Sequence, residues 1–599
     1  MAYRESNGRL NRAWLKVVAW RETHIKEKSF LVILALVVGI ICGLAALLLK
    51  WFIHVISHAL TANVITDTAN WSYLVFPVIG IVIVTIYVSY VVRDNISHGV
   101  TRVLFAISQR KSRLKRHNMY TSLLASSVTI GFGGSVGAEG PIVCTGAAIG
   151  SNIGQAFRLS PRVLMLLVGC GAAAGIAGIF RAPIAGMLFT LEVLMIDLTG
   201  TTVMPLLIAS ISGATVAYVA EGYTAEFFFT QSEDWLVSRI PWTILLGVFC
   251  GFVSLYFTRV MFFMERFFGR IKRKSLKLVT GGAILAVLIF LFPPLYGEGY
   301  SSINQLLDGD VSSIVAGTFF YVDRDSGLFL TIYIALIVLM KVFATSSTNG
   351  AGGVGGTFAP SLYVGAMAGF LFAFALNHFE LAGTVSSKNF ALLGMAGVMS
   401  GVMHAPLMAI FLTAEMTGGY DLFLPLLIVS AISYGTIHIF EPYSIYTMRL
   451  AKRGELLTHQ KDKAVLTLLK LDNVIEHDFK AVHPEMNLKE MVDTIAASNR
   501  NLFPVTDAEG YLKGVVLLDD IRNIMFRPDL YKKMHVQKFM SMPPEKIDIN
   551  ESMDSVMKKF DNTNAWNLPV VDRGKYIGFV SKSKIFNSYR RVLKHYVDD

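Results

Sequence analysis

Glu139 is the residue that asks most of its surroundings. It lies in Gly133-Gly134-Ser135-Val136-Gly137-Ala138-Glu139-Gly140-Pro141, and no other charged residue occurs between Gly131 and Ala156. A carboxylate in an apolar segment is costly and is a functional candidate by default. The bland alternative is a salt bridge, and no Lys or Arg in that stretch can supply it. The pattern around Glu139 returns later in the chain at an offset of 219, pairing Gly133/Gly352, Gly134/Gly353, Gly137/Gly356 and Pro141/Pro360, then Gly146/Gly365, Ala147/Ala366 and Gly150/Gly369. Farther on the offset becomes 223, matching Gly171/Gly394, Gly178/Gly401, Ala182/Ala405, Pro183/Pro406, Thr190/Thr413 and Glu192/Glu415.

A Gly-rich entry to a helix leaves backbone N–H groups free to face a cavity, and the helix N-terminus carries about half a positive charge. Two such entries aimed at one point would hold an anion without a buried Lys or Arg. A Walker-type phosphate loop is excluded, because neither run continues as Gly-Lys-Ser/Thr. Glycines that only permit close helix crossing are the competing reading of either run alone. Recurrence at matching positions of a repeat weakens it and suits a repeat-built transporter or channel.

The elements that must carry these entries are apolar. Of 599 residues, 53% are hydrophobic and 16% charged, against about 25% charged in soluble domains. A span of the hydrocarbon core needs about 20 residues, and Phe30–Leu49 and Tyr73–Val92 supply such runs. Others cover Val163–Ile179, Thr201–Ala220, Ile240–Thr258, Leu278–Tyr296, Ser326–Met340, Val342–Phe379 and Leu422–Phe440. Pro141, Pro183, Pro360 and Pro406 interrupt several, which predicts half-helices around a polar cavity rather than plain anchors. The first run is not expected to be a cleaved signal, since no small-residue cleavage site follows it. Cys42, Cys144, Cys170 and Cys250 lack CxxC spacing and read as buried small hydrophobes, so neither a disulfide framework nor a metal site is expected.

The net charge of +11 is unevenly placed. Residues 1–28 hold seven basic and three acidic residues, 110–116 hold five bases, and Glu265–Lys277 holds six bases against one acid. Thr61–Ser72 and Glu221–Trp235 carry only acids. The positive-inside rule then places the basic loops in the cytoplasm, and no nucleic-acid partner is needed to explain them. Beyond Arg453 the chain turns polar. Asn501–Asp507 is answered by Asn567–Asp572, each followed by a second short strand, Gly514–Leu517 and Gly578–Ser581, and each preceded by an amphipathic stretch, Leu488–Ala497 and Ser552–Phe560. Three parts are expected: a cytoplasmic segment 1–28; a membrane domain 29–453 whose repeats cover about 30–222 and 240–453; and a cytoplasmic α/β tail 454–599 with copies at about 477–530 and 537–595.

The tail resembles a tandem pair of CBS domains. Gly137-Ala138-Glu139-Gly140-Pro141 and Gly356-Thr357-Phe358-Ala359-Pro360 resemble the GxEGP and GxFxP motifs of the CLC chloride channels and transporters; Ser97-His98-Gly99-Val100-Thr101 and Ser444-Ile445-Tyr446 resemble two further elements of that family. The resemblance implies an α-helical polytopic membrane protein built as an inverted repeat of broken helices. It further implies a homodimer with one anion pore per subunit in the lipid bilayer, here the inner (plasma) membrane, and no enzyme activity.

By the same resemblance Glu139 is the gate, whose carboxylate occupies an anion site and swings away when protonated or displaced. His98, Gly137, Gly140, Gly356, Thr357, Phe358 and Tyr446 would line the anion path, with Tyr443 the competitor of Tyr446 and a backbone-satisfied helix-end residue the plain reading of His98. Thr101 and Arg102 depart from the family loop, and Ala138 stands where relatives often carry a cation. Val193 stands where proton-coupled members usually have Glu, while Glu192, mirrored by Glu415, reads as structural. In the CBS pair, Asp520 and Ser581 each keep half of a ribose-binding signature, so adenine nucleotide binding and a purely structural dimerisation unit both stay open. The expected function is a gated chloride channel, with voltage gating implied by the resemblance. The alternatives are an anion/proton exchanger with another proton path, a fluoride exporter, and a CBS-based membrane sensor.

Overall fold

The computed structural model describes residues 21–588 except 22, 62–70, 95, 97–98, 110–111, 198, 223–225, 228–235, 310–313, 316–317, 319–326, 382 and 453–470. Two compact units divide at 456/457. In the first, α1 (Glu27–Thr61) and α2 (Ser72–Ile86, running into a π-helical turn Tyr87–Val92) precede the short α3 (Gly99–Gln109) and α4 (Thr121–Gly131). Then come α5 (Glu139–Ala156), α6 (Pro161–Phe180), α7 (Pro183–Glu192) and α8 (Gly200–Glu221). The second half follows as α9 (Ile240–Arg270), α10 (Lys274–Leu291), α11 (Tyr300–Asp308) and α12 (Gly327–Ala351), then α13 (Phe358–His378), α14 (Ser387–Met403), α15 (Pro406–Thr417), α16 (Phe423–Phe440) and α17 (Thr447–Ala451). Among the described residues nine helices are long and apolar enough to cross a membrane, and α3, α4, α7 and α15 are shorter apolar helices.

The prolines open these helices rather than break them. Pro183 and Pro406 occupy the first turn of α7 and α15, and Pro141 and Pro360 the first turn of α5 and α13. First-turn N–H groups have no helical partner, so proline costs nothing there. Small residues let backbones touch. A Cβ on Gly171 would collide with the Gly146 carbonyl, and one on Gly394 with the Gly365 carbonyl, so α5–α6 and α13–α14 cross in matching fashion. The four cysteines are free and buried.

The repeats are inverted, and they clasp each other. Gly137 and Gly356 form an antiparallel bridge, Gly137 N donating to Gly356 O at 3.0 Å and Gly356 N to Gly137 O at 2.6 Å. Glu192 at the end of α7 accepts from Leu407 N (3.1 Å) and Met408 N (2.7 Å) at the start of α15. Glu415 near the end of α15 accepts from Ile184 N (3.0 Å) and Ala185 N (2.9 Å) at the start of α7. Each carboxylate thus caps the other repeat's helix, satisfying N–H groups that have no partner in their own helix.

In the second unit, α18 (Leu488–Ala496) begins with a capping box at Asn487 and Glu490. β1 (Leu502–Thr506) and β2 (Leu512–Leu517) pair antiparallel, and the short α19 (Leu518–Ile521) follows. The second copy has β3 (Ile547–Asp548), α20 (Met553–Thr563), β4 (Asn567–Asp572) and β5 (Lys575–Ser581), with β3–β4 parallel and β4–β5 antiparallel. The parallel pair Ile547↔Val570 has its counterpart in the bridge Val482↔Val505. The copies also exchange backbone bonds, Glu476 with Phe579 and Tyr576 N with Gly510 O, so the pair forms one body.

Candidate functional site at the meeting of two helix N-termini

Both Gly-rich breaks deliver a helix N-terminus to the same place. Glu139 and Phe358 are the first residues of α5 and α13, and they occupy equivalent positions of the repeat, 219 residues apart. Positive φ at Gly133 (93°) and Gly352 (113°) turns the chain into each break, where a residue with a Cβ would be strained. Gly99, Gly140 and Gly356 crowd together: a Cβ on Gly99 would strike the Gly140 carbonyl, and one on Gly140 would stand 3.1 Å from the Gly356 Cα. No Cβ fits at Gly99, and one at Gly140 would crowd Gly356, so backbone lines much of this corner.

The Glu139 carboxylate lies in the corner. Glu139 is 1% exposed; a Cβ at Gly356 would be 3.0 Å from its Oε2. Tyr300 donates its hydroxyl to Oε1 at 3.0 Å, and the N–H groups of Glu139 and Ala359 face the carboxylate. Oε2 is buried and has no hydrogen-bond partner among the described residues. One negative group thus sits against two helix N-termini, where the macrodipoles favour an anion. If that side chain swings out, the same donors are left for a free anion.

The other expected residues divide. Phe358 is fully buried and stacks on Phe180, centroids 5.4 Å apart. Tyr446 is 5% exposed, its hydroxyl directed at Thr357 and its carbonyl accepting from the Thr101 hydroxyl at 3.3 Å; Tyr443 is 38% exposed. Tyr446 is therefore the tyrosine that the fold brings to the corner. His98 lies outside the described residues. Arg102 pairs with Asp94 at 2.7 Å and donates to the Asn118 amide oxygen at 3.0 Å. In the second unit Asp520 is exposed on α19, whereas Ser581 at the end of β5 donates to Glu476 at 2.7 Å and accepts from Lys584 N at 3.1 Å. The two belong to different copies: Asp520 lies on the helix that follows β2, and Ser581 ends β5 of the three-stranded sheet.

Four site residues escaped the reading of the sequence: Tyr300, Glu298, Lys341 and Phe180. Glu298 accepts from Ala138 N at 3.0 Å, one residue before α5. Lys341 is fully buried in α12 and donates to the carbonyls of Gly297 (3.0 Å) and Leu295 (3.4 Å). It separates the apolar runs ending at Met340 and starting at Val342, yet α12 passes straight through it. A lone cation between two apolar runs was the available signal.

A family model described as "Voltage gated chloride channel" matches residues 80–438, and one described as "CBS domain" matches 471–527 and 536–591. The chain belongs to the CLC family. It is a multi-pass membrane protein and an anion transporter with two CBS domains. Among similar proteins, "Putative chloride channel protein ClcB-like" of Ralstonia nicotianae is 29% identical over 394 residues, covering 64% of this chain and 87% of that protein. Among solved structures, a slow cyanobacterial Cl-/H+ antiporter superposes with TM-score 0.61 at 21% identity, covering 72% of this chain and 98% of that one. A CLC-type fluoride/proton antiporter gives TM-score 0.57 at 24% identity, covering 70% and 97%. These two likenesses bear on the fold.

Proposed function

We propose that this CLC chain is a chloride channel gated by Glu139. It works as a homodimer in the inner (plasma) membrane, with the basic loops and the CBS pair cytoplasmic. The observation that carries the reading is the Glu139 carboxylate lodged between the N-termini of α5 and α13, because a group seated where an anion would bind closes the path until it leaves. The channel mode rests on Val193. It is aliphatic, 2% exposed, and cannot carry a proton. Its neighbour Glu192 has both oxygens engaged as caps on α15, which supports a structural role for it. The likeness to two proton-coupled antiporters favours an anion/proton exchanger with a different inner acid as the second reading.

The deciding measurement is made on purified protein in sealed vesicles carrying an outward chloride gradient, with chloride and pH recorded together. Chloride efflux without uphill proton movement is expected. Sustained proton pumping at a fixed ratio would make the protein an exchanger. For the CBS pair, we infer that Asp520 contacts the ribose of an adenine nucleotide. ATP or AMP at millimolar concentration should raise the unfolding temperature of the protein, and Asp520→Ala should abolish the rise. Equal shifts in both proteins would remove Asp520 from the site.

A further inference from the structure

Two carboxylates converge on the N-terminus of α5, and the gate uses only one of them. Glu298 lies in Gly297-Glu298-Gly299, both glycines having positive φ (62° and 93°). The turn is docked on the first repeat's break by Gly297 N donating to Gly133 O at 3.2 Å. Lys341 holds the turn from beneath through the Leu295 and Gly297 carbonyls, and its ammonium lies 4.8 Å from the centroid of the Tyr363 ring. So fixed, Glu298 Oε1 accepts the Ala138 N–H at 3.0 Å. That N–H is one of the unpaired donors that an anion at a helix N-terminus would use.

Burial grades across the pair. Glu139 is 1% exposed, whereas Glu298 as a residue is partly exposed. The charged or titratable groups facing Glu298 are Glu139, Tyr300 and Lys341, with Lys50 and Glu226 farther out. Lys50 and Glu226 are themselves paired at 3.0 Å, and Arg181 joins Glu226 at 2.7 Å. Within this group Oε2 of Glu139 is buried and unpartnered among the described residues, so only Oε1, through Tyr300, holds the carboxylate by a side-chain hydrogen bond and the group is not locked in place.

We propose that Glu298 is a second gate residue, its carboxylate filling an outer anion position on the Ala138 N–H while Glu139 fills the inner one. Passage then requires both carboxylates to be neutralised or displaced, and the entering anion takes over the donors that each gives up. Like charges in a low-dielectric site disfavour each other's ionised form, so the pair takes up a first proton readily, but neutralising or withdrawing one carboxylate leaves the other held more firmly until it too is protonated or displaced. The inference rests on the anion-channel reading and on Glu139 as the gate.

The test measures chloride efflux from vesicles against pH for the unaltered protein, Glu139→Gln, Glu298→Gln and the double variant. Glu139→Gln is expected to raise efflux but to keep part of its pH dependence. Adding Glu298→Gln should raise efflux several-fold further and remove that remainder. If Glu139→Gln alone is already independent of pH and the second change adds nothing, Glu298 is not a gate. If Glu139→Gln leaves flux and its pH dependence unaltered, the gate reading itself fails. Chloride titration of detergent-purified protein gives a readout independent of flux: Glu298→Gln should bind chloride several-fold more tightly, and unchanged affinity in a protein of unchanged unfolding temperature overturns the proposal.

Discussion

The two repeats build the same backbone and end it in different residues. At position 139 the first repeat has Glu; at the equivalent position 358 the second has Phe. Both begin a helix after a Gly-rich break, and both breaks pair through Gly137 and Gly356. One supplies an acid that lies across the meeting point; the other supplies a ring stacked on Phe180. The symmetric part, two N-termini and their N–H groups, is enough to attract an anion. In the proposed reading, the asymmetric part decides when one enters. Elsewhere the symmetry is kept, as in the exchange of caps by Glu192 and Glu415.

Breaking the asymmetric part should have the largest effect. Glu139→Gln is expected to raise chloride efflux at neutral pH by at least about tenfold, equivalent to ~1.4 kcal/mol of gate stabilisation removed. Rates no higher than those of the unaltered protein would show that the carboxylate does not block. The symmetric part is sharpened by comparing Glu192→Gln with Glu415→Gln. A side-chain amide keeps one oxygen acceptor and loses the second, so each change should destabilise by about 1–3 kcal/mol, and by similar amounts. Thermal unfolding of the two variants checks this. A large difference between them would mean that one glutamate does more than cap.

The smallest effect belongs to the second unit. Arg500 bonds Asp478 at 2.6 Å and Glu476 at 2.7 Å, and the hydrogen bond from the Arg500 guanidinium holds the Asp478 carboxyl below its ordinary value. A depressed carboxyl contributes stability that is present above its unfolded-state value of 3.8 and lost as pH falls through the lower folded one. Arg500→Ala should therefore lower the unit's unfolding temperature slightly at neutral pH and flatten its loss of stability below about pH 4. An unchanged acid profile would show the exposed pair to be worth nothing.

Much of this was legible from residue order. The repeat, the spans, the helix starts at the two breaks and the isolated acid Glu139 all follow from local pattern, because backbone hydrogen bonding and burial act over a few residues at a time. The two-copy tail was legible for the same reason, although its second strands extend farther than Gly514–Leu517 and Gly578–Ser581, to Leu512 and Lys575. Tyr446 over Tyr443 could be preferred from motif context, but burial is what separates them.

What residue spacing could not convey is which distant groups meet. Tyr300 and Glu298 reach the start of α5 from about 160 positions away in the chain, and Lys341, about 200 away, holds the turn that carries Glu298; no periodicity links them to Glu139. Arg102, conspicuous in sequence as a cation in place of an acid, becomes ordinary once Asp94 is seen beside it. The sequence by itself determined that two helix N-termini would exist, with an acid on one of them. Only the tertiary structure decided that they face each other, and that the acid lies between them with a second carboxylate alongside. Contacts of that kind depend on how helices cross, and crossing is set by the packing of whole faces rather than by the order of neighbouring residues.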